Sequence, residues 1–144
     1  MPTEAEWEYA ARGGPKRASH IFAGSNNLAT VAWCYKNSFE QGPQHPNYGT
    51  NPVGQRKANT LGIHDMSGNV FEWINGWYQA DIYEQHATKI VTNPEDATAG
   101  KKRMLRGGSW YLFSKDDTRV SNRISVPATT QGNISGFRVV RVWK

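Results

Sequence analysis

The sequence predicts an α+β chain, on three observations. A helix-capping box stands at Thr3-Glu-Ala-Glu6, at the very start. Strand candidates crowd the last third, after residue 102. Between them, turn residues (14 Gly and 7 Pro in 144 residues) cut the chain into pieces too short for a helical bundle. The length fits one domain over 1–144. Six Trp, six Tyr and five Phe supply much of the burial that long aliphatic runs would otherwise give.

In the capping box the Thr3 hydroxyl accepts from the Glu6 amide, while the Glu6 carboxylate reaches back. The helix is expected from Glu4 to about Arg12, with Trp7, Ala10 and Ala11 on one face, and Gly13-Gly14-Pro15 ends it. From Ala23 to Lys57 the chain reads as loop, punctuated by Gly24-Ser-Asn-Asn27, Gly42-Pro-Gln-His-Pro-Asn47 and Gly49-Thr-Asn-Pro52. Within it the apolar run Val31 to Tyr35 is expected to form a short strand. Asp81 to His86 reads as a helical turn in an otherwise polar segment from Gln79 to Lys102. Strands are expected at Arg103–Arg106, along the alternating stretch Arg119–Val126, and at Phe137–Trp143. Arg138 and Arg141 break the alternation of that last one, which suits an edge or a strand covered on both faces.

The net charge of +5 comes from dispersed basic residues, without the runs that grip nucleic acid. The single cysteine, Cys34, cannot form an internal disulfide or a Cys-rich zinc site, and in its apolar run it reads as a buried thiol. No apolar run is long enough to span a membrane. The acidic start Met1-Pro2-Thr3-Glu4 does not read as a signal peptide.

The stretch Leu61-Gly-Ile-His-Asp-Met-Ser-Gly-Asn-Val-Phe-Glu-Trp73 carries the chemistry. Asp65 and Glu72 sit among the apolar Ile63, Met66, Val70, Phe71 and Trp73, where an unpaired charge is expensive. Two arrangements relieve the cost. A chain reversing around Gly68 can offer both carboxylates and intervening carbonyls to a hard cation such as Ca²⁺. Alternatively Asp65 caps a turn and Glu72 pairs with an arginine. Arg106, Arg119, Arg123 and Arg138 read as ion-pair partners for carboxylates.

Four segments together resemble the formylglycine-generating enzyme (sulfatase-modifying factor) family: Pro2-Thr-Glu-Ala-Glu-Trp-Glu-Tyr-Ala-Ala-Arg-Gly-Gly14, Asp65-Met-Ser-Gly-Asn-Val-Phe-Glu-Trp73, Leu105-Arg-Gly-Gly-Ser-Trp110 and Gly136-Phe-Arg-Val-Val-Arg141. The resemblance implies a C-type-lectin-like α+β fold with a small twisted antiparallel sheet, few helices and much irregular loop. It also implies a structural Ca²⁺, with Asp65 and Glu72 ligating through side chains and Gly68 and Val70 through carbonyls. The family normally carries a further stretch before the Pro-Thr-Glu-Ala-Glu-Trp motif, which here starts at Pro2, so the chain is expected to lack that part or to have it completed by a partner. Family oxidases hold copper(I) with two cysteines shortly after Gly-Gly-Ser-Trp. Soft thiolates suit copper(I), but Leu112 and Asp117 stand at the matching positions, so no copper is expected and the catalytic residues are absent.

The function this favours is a non-catalytic module that binds a protein or other ligand. Its face is expected in 111–135, through Tyr111, Phe113, Ser114, Asp116, Asp117, Ser121, Asn122, Thr129, Thr130, Asn133 and Ser135: aromatic anchors among adaptable polar neighbours. Variable proteins of diversity-generating retroelements resemble the family in fold and change residues in this same segment, which makes a retroelement-diversified variable protein one form of this reading. The alternatives are a formylglycine-generating oxidase or related sulfatase-modifying enzyme, and an accessory domain of a larger assembly, including a homo-oligomer. An iron enzyme is disfavoured, since His20, His45, His64 and His86 show no ligand spacing. Trp77, Trp110 and Trp143 read as core.

Overall fold

The computed structural model describes residues 1–88, 90–92, 94 and 99–141. Helix α1 runs Glu4–Ala11 behind the predicted box: Thr3 Oγ1 accepts from the Glu6 amide at 3.3 Å, and the Thr3 amide donates to Glu6 Oε2 at 2.8 Å. The helix stops at Gly13, whose φ of +93° is left-handed. Trp7 and Ala11 are buried on its inner face. They pack with Ala23, Met66, Ile74, Met104 and Val120 in the main core, and Ala10 lies against that cluster.

Four strands form one sheet in the order β3-β2-β1-β4: β1 Phe71–Trp77, β2 Lys102–Arg106, β3 Ile124–Pro127 and β4 Ser135–Phe137. β2 pairs antiparallel with β1 and with β3. β4 pairs parallel with β1, Glu72 opposite Gly136, so the sheet is mixed, not purely antiparallel as expected. Asn75-Gly76 lies inside β1, where the register with β2 shifts between Trp73 and Trp77. Glycine in a strand interior commonly marks such an irregularity.

Other expectations change. Val31–Tyr35 is no strand. Helix α2 covers Leu28–Val31, capped by Asn27, whose Oδ1 accepts from the Ala29 amide at 3.1 Å. Ala32, Trp33 and Cys34 are then buried in succession, without the alternation a half-buried strand requires. Phe22, Val31, Ala32 and Cys34 form a second cluster with Leu28 against it. Arg119–Asn122 is turn, and only Ile124–Pro127 of that stretch is strand. The expected strand Phe137–Trp143 is strand only at Phe137, the last residue of β4, and Trp143 lies outside the described residues. Helix α3, Ile82–His86, matches the predicted helical turn.

Candidate functional site

Two features meet around the loop between Asp65 and Glu72. The loop needs left-handed backbone at Asp65 (φ +59°), Gly68 (+78°) and Asn69 (+60°), and Asp, Asn and Gly are the residues that adopt it most readily. Gly68 is also forced by space, since a Cβ there would lie 2.2 Å from the Trp33 carbonyl oxygen. Three backbone bonds fasten the loop: Gly68 to the Gly107 carbonyl (2.8 Å), Asn69 to the Trp33 carbonyl (2.7 Å), and Trp110 to the Asn69 carbonyl (2.8 Å).

Both carboxylates are buried. Asp65 Oδ2 accepts from the Gly54 amide at 2.7 Å, while Asp65 Oδ1 is buried without a hydrogen-bond partner. Glu72 is held on three sides: by Trp7 Nε1 (2.7 Å), Arg138 Nε (2.9 Å) and Arg138 Nη2 (2.7 Å). Arg138 Nη2 also donates to the His64 carbonyl at 3.0 Å. Burial works against the Arg138 charge, but the hydrogen bonds and charge of Glu72, with Asp65 beyond, leave its pKa above the usual arginine value. The turn cap at Asp65 and the arginine pair at Glu72 are thus both in place. Asp65, Asn69, Val70 and Glu72 line a cleft of about 490 Å³ whose other wall includes Val53, Phe137 and Arg138. Among the described residues, the Gly68 and Val70 carbonyls accept no hydrogen bond, and no three His, Cys, Asp or Glu side chains gather as a metal-binding set. A cation in this cleft would therefore lean on Asp65 Oδ1, carbonyls and water, a donor set that suits Ca²⁺.

The second feature is a cluster of six aromatic rings. Phe39 sits at its centre, 4.7 Å from Tyr111, 5.3 Å from Tyr35, 5.6 Å from Tyr48 and 5.9 Å from Trp110. Phe113 joins through Tyr35 at 5.1 Å, edge-on at 82°, a geometry favoured by ring quadrupoles. Trp110 is the buried floor, fixed by the hydrogen bond its backbone amide donates to the Asn69 carbonyl. Tyr111 is 48 % exposed and Phe113 is 82 % exposed. Tyr35, Phe39 and Tyr48 were not singled out in the sequence. Their only signal was two aromatics four residues apart in a turn-rich loop.

The polar candidates are spread more widely. Ser114 and Asp116 begin the 3-10 turn Lys115–Thr118, which the Ser114 hydroxyl caps by accepting from the Asp116 amide at 3.3 Å. Asp116 pairs with Arg119 at the surface. Asp117, Asn122 and Ser135 are half-buried rather than exposed, and Asn122 Nδ2 donates to the Asp117 carbonyl at 3.0 Å. Ser121 is exposed in the turn before β3. Thr129, Thr130 and Asn133 are exposed in the connection from β3 to β4, and Ser135 lies in β4 opposite Phe71. Cys34 is buried, and burial pushes its thiol pKa up. The ring of His64 sits 2.6 Å from the Arg56 carbonyl.

Residues 1–143 match the family described as the sulfatase-modifying factor enzyme 1-like domain. The chain is 37% identical to the chaperone protein LppX of Paenibacillus barcinonensis, over 98% of this chain and 48% of that protein. It is 34% identical to the formylglycine-generating enzyme of Streptomyces coelicolor, over 96% of this chain and 45% of the enzyme. Among solved structures it superposes on Treponema denticola variable protein 1 with a TM-score of 0.71 at 32% identity, covering 95% of this chain and 45% of that one. The chain spans about half the length of these relatives.

Proposed function

The chain belongs to the sulfatase-modifying factor family and has its C-type-lectin-like α+β fold, and from that premise we propose that it is a non-catalytic binding module. The contact surface is the aromatic cluster, with Tyr111 and Phe113 as anchors and the polar residues of 111–135 around them. The observation that carries this reading is the setting of the two positions at which family oxidases place cysteines. Leu112 lies between the exposed rings of Tyr111 and Phe113, and Asp117 lies in the 3-10 turn beside them. A hydrocarbon and a carboxylate offer copper(I) no thiolate, while exposed aromatics beside adaptable polar groups suit a binding face. The names of the relatives support the breadth of the scaffold: one is a chaperone, one an oxidase, one a variable protein. Retroelement diversification of 111–135 is the narrower form of the same reading.

Two assays test it. A cysteine-containing sulfatase peptide, incubated with the protein, copper and O₂, is expected to yield no aldehyde, and aldehyde would overturn the reading. A partner selected on the wild-type protein is expected to lose at least tenfold in affinity, about 1.4 kcal/mol, with Phe113→Ala. Selected partners indifferent to both Tyr111→Ala and Phe113→Ala would place the face elsewhere.

The loop from Asp65 to Glu72 is the second part of the proposal. It takes a structural Ca²⁺ through Asp65 and the Gly68 and Val70 carbonyls, with the orphaned Asp65 Oδ1 as the supporting observation; Glu72, which the sequence also offered as a ligand, is engaged by Trp7 and Arg138 and steadies the loop instead. Because the Asn69 carbonyl accepts from the Trp110 amide, a cation that stiffens the loop also stiffens the floor of the aromatic surface.

A further inference from the structure

We propose that the binding face extends past 111–135 onto the turn 47–51, with Tyr48 as a third anchor, and that Asn69 is the residue that positions it. The inference rests on the binding reading above, but the contact it describes can be measured by itself. The Tyr48 ring lies 5.4 Å from Trp110, edge-on at 67°, and 5.6 Å from Phe39. Rings at such separations and tilts attract through their quadrupoles. Tyr48 thereby shares two neighbours with the anchor Tyr111, which lies 4.7 Å from Phe39 and 5.7 Å from Trp110.

Asn69 grips both sides of this contact. Its backbone holds Trp110, whose amide donates to the Asn69 carbonyl. Its side chain holds the turn: Oδ1 accepts from the Asn51 amide at 3.1 Å, and Nδ2 donates to the Asn51 carbonyl at 3.0 Å. Donor and acceptor are met together, as a neighbouring strand would meet them. The turn itself is cross-braced. Asn51 Nδ2 donates to the Asn47 and Gly49 carbonyls at 3.0 Å each, and the fully buried Ser38 Oγ reaches the same two carbonyls at 2.6 and 2.8 Å. Tyr48 stands between those two residues, so its ring is carried by a stiff piece whose tie to Trp110 runs through Asn69. Asparagine meets both demands of the position. Its φ of +60° is left-handed, which glycine and aspartate also take. Glycine has no side chain to bond Asn51, and an aspartate cannot donate, so it would turn a carboxylate oxygen on the Asn51 carbonyl. Further on, the Gly54 amide donates to Asp65 Oδ2. Loss of the Asn69 side chain therefore frees the turn without detaching the segment.

Nuclear magnetic resonance of Asn69→Gly tests the contact. The wild type is expected to show an Overhauser contact between the Tyr48 and Trp110 rings. Asn69→Gly is expected to lose it and to keep slow exchange at the Trp110 amide, which the backbone of residue 69 still holds. A ring contact absent from the wild type, or surviving in Asn69→Gly, overturns the proposal. Should Asn69→Gly fail to fold, Ser38→Ala, which loosens the same turn from its other side, is expected to lose the contact, and its survival there overturns the proposal. A display peptide selected on the wild-type protein, and released by Phe113→Ala, tests the face. Tyr48→Ala and Asn69→Gly are each expected to weaken it at least about fivefold. The double variant is expected to be no worse than the more damaging single, because Asn69 acts through Tyr48. Losses that multiply in the double variant, or a peptide indifferent to Tyr48→Ala, overturn the proposal. If no selected peptide responds to Phe113→Ala, the binding reading itself has failed and the third anchor falls with it.

Discussion

Replacing Glu72 by Gln probes the buried carboxylate that ties β1 to Trp7 and Arg138. The change keeps shape and removes charge. In the folded chain Glu72 receives three N–H groups, one from Trp7 and two from Arg138, and its side chain is only 7 % exposed. A glutamine has one acceptor oxygen, so its NH₂ must face one of those donors, and the guanidinium loses its counter-charge. Breaking a buried pair by removing one partner costs about 3–5 kcal/mol. The Arg138 side chain is 27 % exposed and solvent screens part of the loss, which lowers the expectation to about 2–4 kcal/mol. For a chain of this size that is a fall in melting temperature on the order of 10 °C. The assay is urea unfolding followed by circular dichroism in EDTA, for Glu72→Gln, Arg138→Met and the double variant. The double variant is expected to recover about 1–3 kcal/mol relative to the sum of the singles, because the orphaned charge is gone. A single-variant cost below about 1 kcal/mol, the worth of an exposed pair, or strict additivity in the cycle, would refute the view that this pair is a buried fastening.

Chelation is expected to lower the wild-type melting temperature and to leave that of Asp65→Asn unchanged, and a wild-type melt indifferent to EDTA would remove Ca²⁺ from the Asp65 loop. Gly68→Ala is expected to cost about 3 kcal/mol or more, from positive φ and a Cβ 2.2 Å from the Trp33 oxygen, whereas Gly132→Ala, with open space around it, should stay within about 0.5 kcal/mol by the same unfolding assay. Burial raises the Cys34 thiol pKa; above about pH 8.5 the unfolded chain loses that proton first, so stability falls as pH rises until the folded thiol also ionises. Cys34→Ala should lack that component of the slope, and in the wild type thiol-reagent labelling should be slow until the chain unfolds.

The readable parts of the sequence are those where one local rule acts alone. Thr3 and Glu6 form their cap because the partners are three residues apart, and Trp7 and Ala11 face inward because helical spacing puts them there. The arginines were legible as ion-pair partners, though not which carboxylate each would find: Arg123 meets Glu4, Arg106 meets Glu8 and Arg138 meets Glu72. Where two rules compete, the pattern misleads. Val31 to Tyr35 is apolar enough for a strand, yet Asn27 caps a turn of helix just before it and the run is buried on all sides. β1 hides behind Asn75-Gly76, a pair that signals a turn elsewhere, because its edges are satisfied by β2 and β4 from far along the chain. The aromatic cluster could not be read at all, since Phe39 meets Tyr111 across seventy residues of loop and sheet and no periodicity reports such a contact.

The placement of those pairs also explains how this fold can change its work without losing its shape. Glu4 and Glu8 on α1 tie to Arg123 and Arg106, Trp7 between them donates to Glu72, and Glu72 ties to Arg138. The start of the chain is thereby clasped to its C-terminal third by buried or half-buried charge-assisted bonds, the strong class of hydrogen bond. None of these bonds passes through Tyr111, Leu112 or Phe113. Those residues sit on an outer loop anchored at its two ends, by Trp110, whose amide donates to the Asn69 carbonyl, and by Thr118, whose carbonyl accepts from the Ser67 hydroxyl. Exposed positions between such anchors can be exchanged at little cost to stability, commonly within about 0.5 kcal/mol. A pair of thiols, a set of aromatic anchors or a diversified surface can therefore occupy this loop in turn, while Glu4, Glu8, Glu72 and their three arginines keep the frame closed beneath it.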